Sequence, residues 1–135
     1  MYLLDTNVVS ELRRVKPHQG VVNWVESVPA EQLFLSAVTV GEIQAGIEIT
    51  REQDAARADE LQAWLEQIVA TAAVLPMDAP AFQEWARIKH RKPENLIEDA
   101  MIAATAKIHG LTVATRNVRD FSGFGVKLVD PFKYR

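Results

Sequence analysis

Four acidic residues are distributed along the chain in segments that could gather them at one site. Asp5 directly follows a short apolar run, Glu42 lies inside a largely apolar segment, Asp99 begins a second apolar segment, and Asp120 lies shortly after another apolar run. Carboxylates that cluster with few basic partners repel one another, so a cation must neutralise them, and oxygen-only ligands favour Mg²⁺ or Mn²⁺ over zinc. Such an ion lowers the pKa of a bound water and stabilises charge on a phosphate. These residues predict a metal centre able to hydrolyse a phosphodiester.

Polar neighbours of these acids are suited to support such a centre. The neutral side chains expected to orient a carboxylate, a water or a phosphate are Thr6, Asn7, Thr115 and Asn117. Glu98 precedes Asp99, and consecutive side chains on a helix point about 100° apart. Because Asp99 continues the apolar face through Ile102, we expect Asp99 to point inward and Glu98 to lie at the margin of the site as a supporting residue.

Each acid also has a purely structural interpretation. Asp5 could only cap a helix, Glu98 and Asp99 could complement a helix dipole, and Asp120 could close a turn. Glu42 could belong to the polar face of its helix. The metal hypothesis is favoured because four independent structural roles would otherwise have to converge on one edge of one sheet.

The elements that must position these residues follow from the apolar pattern. Strands are predicted at residues 2–4, 33–35, 73–76, 111–114 and 126–129, and helices at 8–14, 20–27, 36–49, 53–70, from 78 into the basic stretch 89–92, and 96–108. Short apolar strands that alternate with helices indicate an α/β domain with a mostly parallel sheet of about five strands. In such sheets ligands bind beyond the carboxyl ends of the strands, where Asp5 and Asp120 are expected.

Composition narrows the functional classes further. A chain of 135 residues suits one domain, here expected to span 1–135, and the absence of cysteine excludes disulfides, thiolate zinc sites and cysteine nucleophiles. The net charge is −3, but with four of the 18 acids held in a metal centre the 15 basic residues slightly outnumber the rest. The absence of a long apolar run or a basic N-terminal leader predicts a cytoplasmic protein without a membrane segment.

Four motifs in order resemble the PIN-domain family, and most of all the VapC and FitB toxins of bacterial type II toxin–antitoxin systems. The motifs are Leu4-Asp5-Thr6-Asn7, Ser36-x-x-Thr39-x-x-Glu42-Ile43, Glu98-Asp99-Ala100-Met101 and Thr115-Arg116-Asn117-x-x-Asp120-Phe121. The resemblance implies an α/β/α sandwich and a Mg²⁺- or Mn²⁺-dependent endoribonuclease with Asp5, Glu42, Asp99 and Asp120 as its acidic quartet. It also implies a homodimer that is inhibited by a DNA-binding antitoxin similar to VapB or FitA.

The expected substrate is single-stranded or looped RNA, because a narrow acidic cleft cannot admit both strands of a stiff A-form helix. Metal-activated water would attack the phosphodiester. Candidate contacts to phosphates outside the cleft are Arg13, Arg14, Lys16, Lys89, Arg91, Lys92, Arg116 and Arg119. Taken alone, each basic run is better explained as a solvated surface.

Two other classes of function fit parts of the pattern. An acid after the first strand also suits an aspartyl-phosphate phosphatase, but such enzymes carry a second acid two residues later, and this chain has Asn7 there. A non-catalytic interaction module could use the acids to receive arginines from a partner. The intact quartet argues against that alternative.

Overall fold

A central sheet of five short parallel strands organises the protein. The computed structural model describes residues 1–135. The strands are β1 (Tyr2–Leu4), β2 (Leu33–Ser36), β3 (Ala73–Leu75), β4 (Thr112–Ala114) and β5 (Leu128–Val129). The helices are α1 (Thr6–Leu12), α2 (Gln19–Ser27), α3 (Ala37–Arg51), α4 (Ala55–Thr71), α5 (Ala79–Lys89), α6 (Ile97–His109) and α7 (Val118–Phe121), with 3₁₀ turns at Ala30–Gln32, Glu94–Leu96 and Pro131–Lys133. The predicted α/β class and parallel sheet are confirmed.

The order of the strands brings the ends of β1, β2 and β4 together. The sheet runs β3-β2-β1-β4-β5, so β1 is central and the order reverses between β1 and β4. Leu4 of β1 lies opposite Leu35 of β2 and Ala114 of β4, so the three strands end at the same level. In open parallel sheets, the point at which the strand order reverses is where the crevice for ligands forms.

Helices cover both faces of the sheet, as in an α/β/α sandwich. Leu3 and Val113 contact α5 and α6 on one face. Leu4, Leu35 and Ala114 contact α1 and α2 on the other, where α3 and α4 contribute partly buried side chains. Successive strand residues point to opposite faces, so apolar residues at consecutive positions can both be buried.

Helix α6 lies against the sheet and is almost wholly buried in its middle. Residues 102–106 are inaccessible to solvent, as their apolar pattern predicted, whereas Ile97 and Ile108 at the two ends are exposed. Gly110 follows the helix with a φ of 67°, a left-handed conformation that glycine adopts readily. Because the N-terminus of α6 reaches the edge of the sheet, its first-turn acids are placed near the ends of the strands.

An apolar groove runs between α1, α4 and the edge of β2. Its volume is about 610 Å³, and Leu12, Leu33, Trp64 and Ile68 form much of its wall. Val69, one residue further along α4, is 45% exposed. The amphipathic stripe of α4 is therefore only partly covered by the rest of the chain.

The structure corrects the sequence-based prediction at two of the acids, and elsewhere it shifts the ends of the predicted strands and helices by at most two residues. Helix α1 begins at Thr6 rather than Val8, because the side chain of Asp5 caps it by accepting from the Thr6 backbone N–H. Asp120 lies on the single turn of α7 rather than in a loop. No helix combines the length and the apolar character needed to cross a membrane.

Candidate active site

Asp5 lies at the carboxyl end of the central strand and is only 3% exposed. Its Oδ1 accepts from the Thr6 backbone N–H at 2.8 Å, and its Oδ2 accepts from the Thr115 hydroxyl at 2.7 Å and from Asn7 Nδ2 at 3.1 Å. Burial raises the pKa of Asp5, and the hydrogen bonds from Thr115, Thr6 and Asn7 oppose that rise. The carboxylate is thus fixed in orientation at the point where the strand order reverses.

Glu42 comes to the same edge from α3 and is joined to Asp5 through Thr6. The Thr6 hydroxyl donates to Glu42 Oε1 at 2.7 Å and lies 3.0 Å from the hydroxyl of buried Thr39. Burial raises the pKa of Glu42, the hydrogen bond from Thr6 lowers it, and the charges of Asp5 and Glu98 raise it further. The two carboxylates are therefore held by one residue, which bonds to Asp5 through its backbone and to Glu42 through its side chain.

Asp99 approaches from the first turn of α6 and is half-buried. Burial, followed by the charges of Asp5, Asp120, Glu42 and Glu98, raises the pKa of Asp99 to about 6. Because these four carboxylates repel it, Asp99 lies near all of them, although Asp5, Glu42 and Asp120 are far from it in the sequence.

Asp120 and Glu98 stand at the rim of this cluster. Both are exposed, and both contribute negative charge to the surroundings of Asp99. Asn117 joins the site through its backbone, since its N–H donates to the Thr115 hydroxyl at 2.9 Å, while its side chain makes no capping bond to α7. The sequence predicts Asp120 as a member of the quartet and Glu98 and Asn117 as supporting residues, and all three are exposed on the outer side of the cluster.

The acidic cluster has no basic partner. All six ion pairs in the structure involve other acids, namely Glu11, Glu48, Asp59, Glu60 and Glu84. An anionic, oxygen-only donor set without a compensating cation fits a hard divalent ion. No three of these carboxylates stand close enough to hold an ion as they are. Binding would therefore require their side chains to converge.

The predicted phosphate contacts fall into separate groups. Arg13, Arg14 and Arg116 line one pocket beside Asn7. Lys89, Arg91 and Lys92 line another at the C-terminal end of α5, where Lys89 Nζ lies 4.7 Å from the centroid of the Trp85 ring. Lys16 and Arg119 are exposed and belong to neither group. The structure thus brings together three arginines that are up to 103 positions apart in the sequence.

Two residues at the site, Thr39 and Phe132, were not predicted from the sequence to belong to it. Thr39 precedes Glu42 by three positions on α3, and this spacing on a helix would have placed the two on one face. Phe132 contacts Arg116 from the C-terminal turn, with 4.6 Å between Arg116 Cζ and the ring centroid. No local signal in the sequence marks that contact, because it depends on how the chain terminus packs.

Comparisons with known proteins agree with the geometry. A family model described as PIN domain matches residues 2–126. The chain is 38% identical to the toxin FitB of Neisseria gonorrhoeae and 35% identical to the VapC ribonuclease Y4jK of Sinorhizobium fredii. Each alignment covers 98% of this chain and 99% of the relative.

Solved structures show the same likeness. The structure of FitAcB from Neisseria gonorrhoeae matches with a TM-score of 0.88 at 38% identity, covering 98% of this chain and 99% of that chain. The structure of FitAB bound to the IR36 DNA fragment matches with a TM-score of 0.85 at 35% identity, covering 100% of this chain and 98% of that chain. The resemblance predicted from the four motifs is confirmed, and the chain belongs to the PIN-domain family, within which it is similar to the FitB and VapC toxins.

Proposed function

We propose that this protein is a divalent-metal-dependent endoribonuclease and the toxin of a type II toxin–antitoxin pair. The observation that carries the proposal is the cluster of Asp5, Glu42 and Asp99, which lacks any basic partner and lies where the strand order reverses. It is supported by membership of the PIN-domain family and by relatives that are named as VapC ribonucleases.

In this proposal Asp5, Glu42 and Asp99 hold the metal, and Asp120 completes the set from the rim. When bound, Mg²⁺ or Mn²⁺ would lower the pKa of a water and neutralise charge on the scissile phosphate. The protein itself supplies orientation. Thr115 and Asn7 fix one oxygen of Asp5, which leaves the carboxylate little freedom to rotate.

The proposed substrate is single-stranded or looped RNA. Asp5 is buried and Glu42 and Asp99 are half-buried at the edge of the sheet, and arginine side chains line the pocket that adjoins Asp5 through Asn7. A single strand can bring its phosphates to carboxylates that are buried to this extent, whereas a stiff A-form duplex cannot bring both of its strands to them. Hydrolysis would leave a 5′-phosphate and a 3′-hydroxyl.

The proposed partner is a small DNA-binding antitoxin, and the proposed assembly contains a homodimer of this chain. Support comes from the similar FitB chain, which was solved as FitAB bound to a DNA fragment. The relative is itself named a toxin. A protein that cleaves cellular RNA needs such an inhibitor if its host is to survive.

The test is cleavage of a fluorescent single-stranded RNA by the purified protein. We expect cleavage with Mg²⁺ or Mn²⁺, none after chelation with EDTA, and recovery on re-addition of metal. The variants Asp5→Asn and Asp99→Asn should each lose about 100-fold or more of the activity, because loss of a metal ligand costs at least as much as loss of its supporting hydrogen bond. Asp59→Asn is the matched control, since Asp59 is an exposed acid that pairs with Arg51 on the α3–α4 hairpin.

Full activity in either site variant after chelation and metal re-addition would overturn the assignment. Circular dichroism of each variant separates loss of chemistry from loss of fold. A stable phosphoryl group on Asp5 would instead indicate the phosphatase alternative, and an inert protein with all acids intact would indicate the interaction module.

A further inference from the structure

A pocket rich in arginine adjoins Asp5 on the side of α1. Its volume is about 440 Å³, and its walls include Arg13 and Arg14 from the end of α1, Arg116 from the segment after β4, and Phe132 from the C-terminal turn. None of the other four main pockets is lined by three arginines. The pocket exists only in the folded chain, because its walls come from three distant segments.

Asn7 connects this pocket to the acidic cluster. Its Nδ2 donates to Asp5 Oδ2 at 3.1 Å, and its Oδ1 accepts from the Arg116 backbone N–H at 3.2 Å. One side chain therefore spans from the carboxylate to the pocket wall. A ligand that occupies the pocket lies next to the proposed point of cleavage.

The positive charge in the pocket is largely uncompensated. Arg13 and Arg116 make no ion pair. Glu11 is the one acid in the wall; its Oε1 lies 3.7 Å from the Arg14 guanidinium, and its Oε2 accepts from the His18 backbone N–H at 2.9 Å. Because Glu11 is buried and already bonded to the His18 backbone, the guanidinium groups of the pocket remain available to bind an anion.

The C-terminal turn holds Arg116 in place. The Arg116 guanidinium lies over the Phe132 ring, with 4.6 Å from Cζ to the centroid, and the His18 ring packs against the same phenyl group at 5.2 Å between centroids. A guanidinium on an aromatic face is stabilised there and keeps its N–H edge free for an oxyanion. Phe132 is therefore a positioning residue for Arg116.

We propose that this pocket binds a backbone phosphate of the RNA substrate beside the scissile one. Arg116, Arg13 and Arg14 supply the contacts, and Phe132 positions Arg116. The inference rests on the proposed ribonuclease function and extends it by giving the direction in which the strand leaves the acidic cluster. A phosphate fits better than an acidic protein segment because Phe132, whose ring is already packed against Arg116 and His18, is the only aromatic or aliphatic side chain in the wall, and protein partners are anchored by apolar side chains.

The first test is binding of a fluorescent single-stranded RNA in EDTA, where cleavage is absent, measured at several salt concentrations. Arg116→Ala and the double variant R13A/R14A should each bind about tenfold more weakly. The slope of log K against log salt should become shallower by about 0.7 for each phosphate that the variant no longer neutralises. Arg87→Ala is the matched control, because Arg87 and Arg14 are both 66% exposed and both pair with a glutamate three residues away.

Cleavage kinetics separate this site from the catalytic acids. With Mg²⁺ present, Arg116→Ala should raise KM about tenfold and leave kcat within about twofold, since the guanidinium binds its phosphate equally well in the ground and transition states. Unchanged KM, affinity and salt slope in R116A and R13A/R14A would overturn the inference even if the wild type cleaves RNA. If the wild type does not cleave RNA, the ribonuclease proposal fails by itself, and the EDTA binding still decides whether the pocket takes a phosphate.

A poly-glutamate peptide tests the other anionic ligand. If it binds as tightly as RNA of equal charge and loses affinity in R116A, the pocket belongs to an acidic protein segment and the RNA assignment is wrong.

The positioning role of Phe132 is tested by a separate measurement. Phe132→Leu should raise KM with little change in kcat, whereas Phe132→Tyr, which keeps an aromatic ring, should have the KM of the wild type. Combined with Arg116→Ala in a double variant, neither substitution should raise KM further. Additive effects, or equal KM values in the Leu and Tyr variants, would contradict positioning by the ring.

Discussion

Asp5 and Asp99 lie in the same cluster but in different surroundings. Burial raises the pKa of Asp5, and the three hydrogen bonds that its carboxylate accepts oppose that rise. Asp99 has no such donors and faces the repulsion of its neighbours, so its pKa reaches about 6. Asp5 is therefore a fixed point of the site, and Asp99 is the residue whose charge is least tolerated without a cation.

This difference predicts how the metal-free protein responds to pH. The pKa of Asp99 is about 6 in the folded chain against an ordinary value of 3.8, so the folded state binds its proton more tightly than the unfolded state. The contribution of this group to the free energy of unfolding should thus fall as the pH rises from about 4 to about 6 and stay low above that. Urea unfolding in EDTA between these limits and at pH 7.5, on the wild type and Asp99→Asn, measures it. The variant should be the more stable protein at neutral pH, and identical pH profiles would contradict the electrostatic account.

Repulsion within the acidic cluster also predicts that a divalent ion stabilises the fold. At pH 7.5, Mg²⁺ at about 100 times its Kd should raise the free energy of unfolding by about 2.7 kcal/mol. The effect should shrink at pH 5, where protons compete for the carboxylates, and should vanish in Asp5→Asn. Thermal unfolding with a Mg²⁺ titration measures it, with Asp59→Asn as the control that keeps the response. A shift of equal size in Asp5→Asn would place the ion elsewhere.

At the level of elements, the apolar pattern predicts the five strands and every helix except α7, but it does not predict the order of the strands. The three-residue apolar run Tyr2–Leu4 indicates a buried strand, whichever strands lie beside it in the sheet. Its central place between β2 and β4 depends on which helices pack together, and no local pattern encodes that. Asp5 shows that the role of a residue at the boundary of an element is also hard to predict from the sequence. Helix cap and candidate ligand were alternatives in the sequence, whereas in the structure the same carboxylate caps α1 and faces the acidic cluster.

Two glycines should respond oppositely to the same substitution. At Gly20 an added Cβ would lie 2.9 Å from the Tyr134 carbonyl oxygen, so Gly20→Ala must displace the C-terminal turn. At Gly46, inside α3, a Cβ would meet nothing within 4 Å. We expect Gly46→Ala to raise the free energy of unfolding by roughly 0.5–1 kcal/mol, from the better helix propensity of alanine. Gly20→Ala should lower it by about 1–3 kcal/mol, as overpacking does. Urea unfolding of both variants measures the difference, and stabilisation by Gly20→Ala would show that the turn does not pack as described.

For the whole molecule, a net charge of −3 does not prevent action on a polyanion, because the charges are segregated. The acids gather at the edge of the sheet, while the unpaired arginines Arg13 and Arg116 line the pocket beside them. The clustering of the acids could be predicted from the sequence, because their motifs follow predicted strands or begin a predicted helix. The pocket could not be predicted, since Arg116 and Phe132 meet only when the C-terminal turn packs on α2.

Segregation of charge also predicts what the intact protein does in a cell when nothing inhibits it. Expression of the chain alone in a bacterial host should stop growth, because cations neutralise the acidic edge and leave it free to hydrolyse RNA. Asp5→Asn should be tolerated, whereas Asp59→Asn should be as toxic as the wild type. Mapping of RNA 5′ ends after brief induction supplies the molecular readout, and new 5′-phosphate ends should appear with the wild type and be absent with Asp5→Asn. Growth arrest by both proteins without new ends would mean that toxicity comes from binding alone, and the acidic edge would then have to be explained as a docking site for a basic partner.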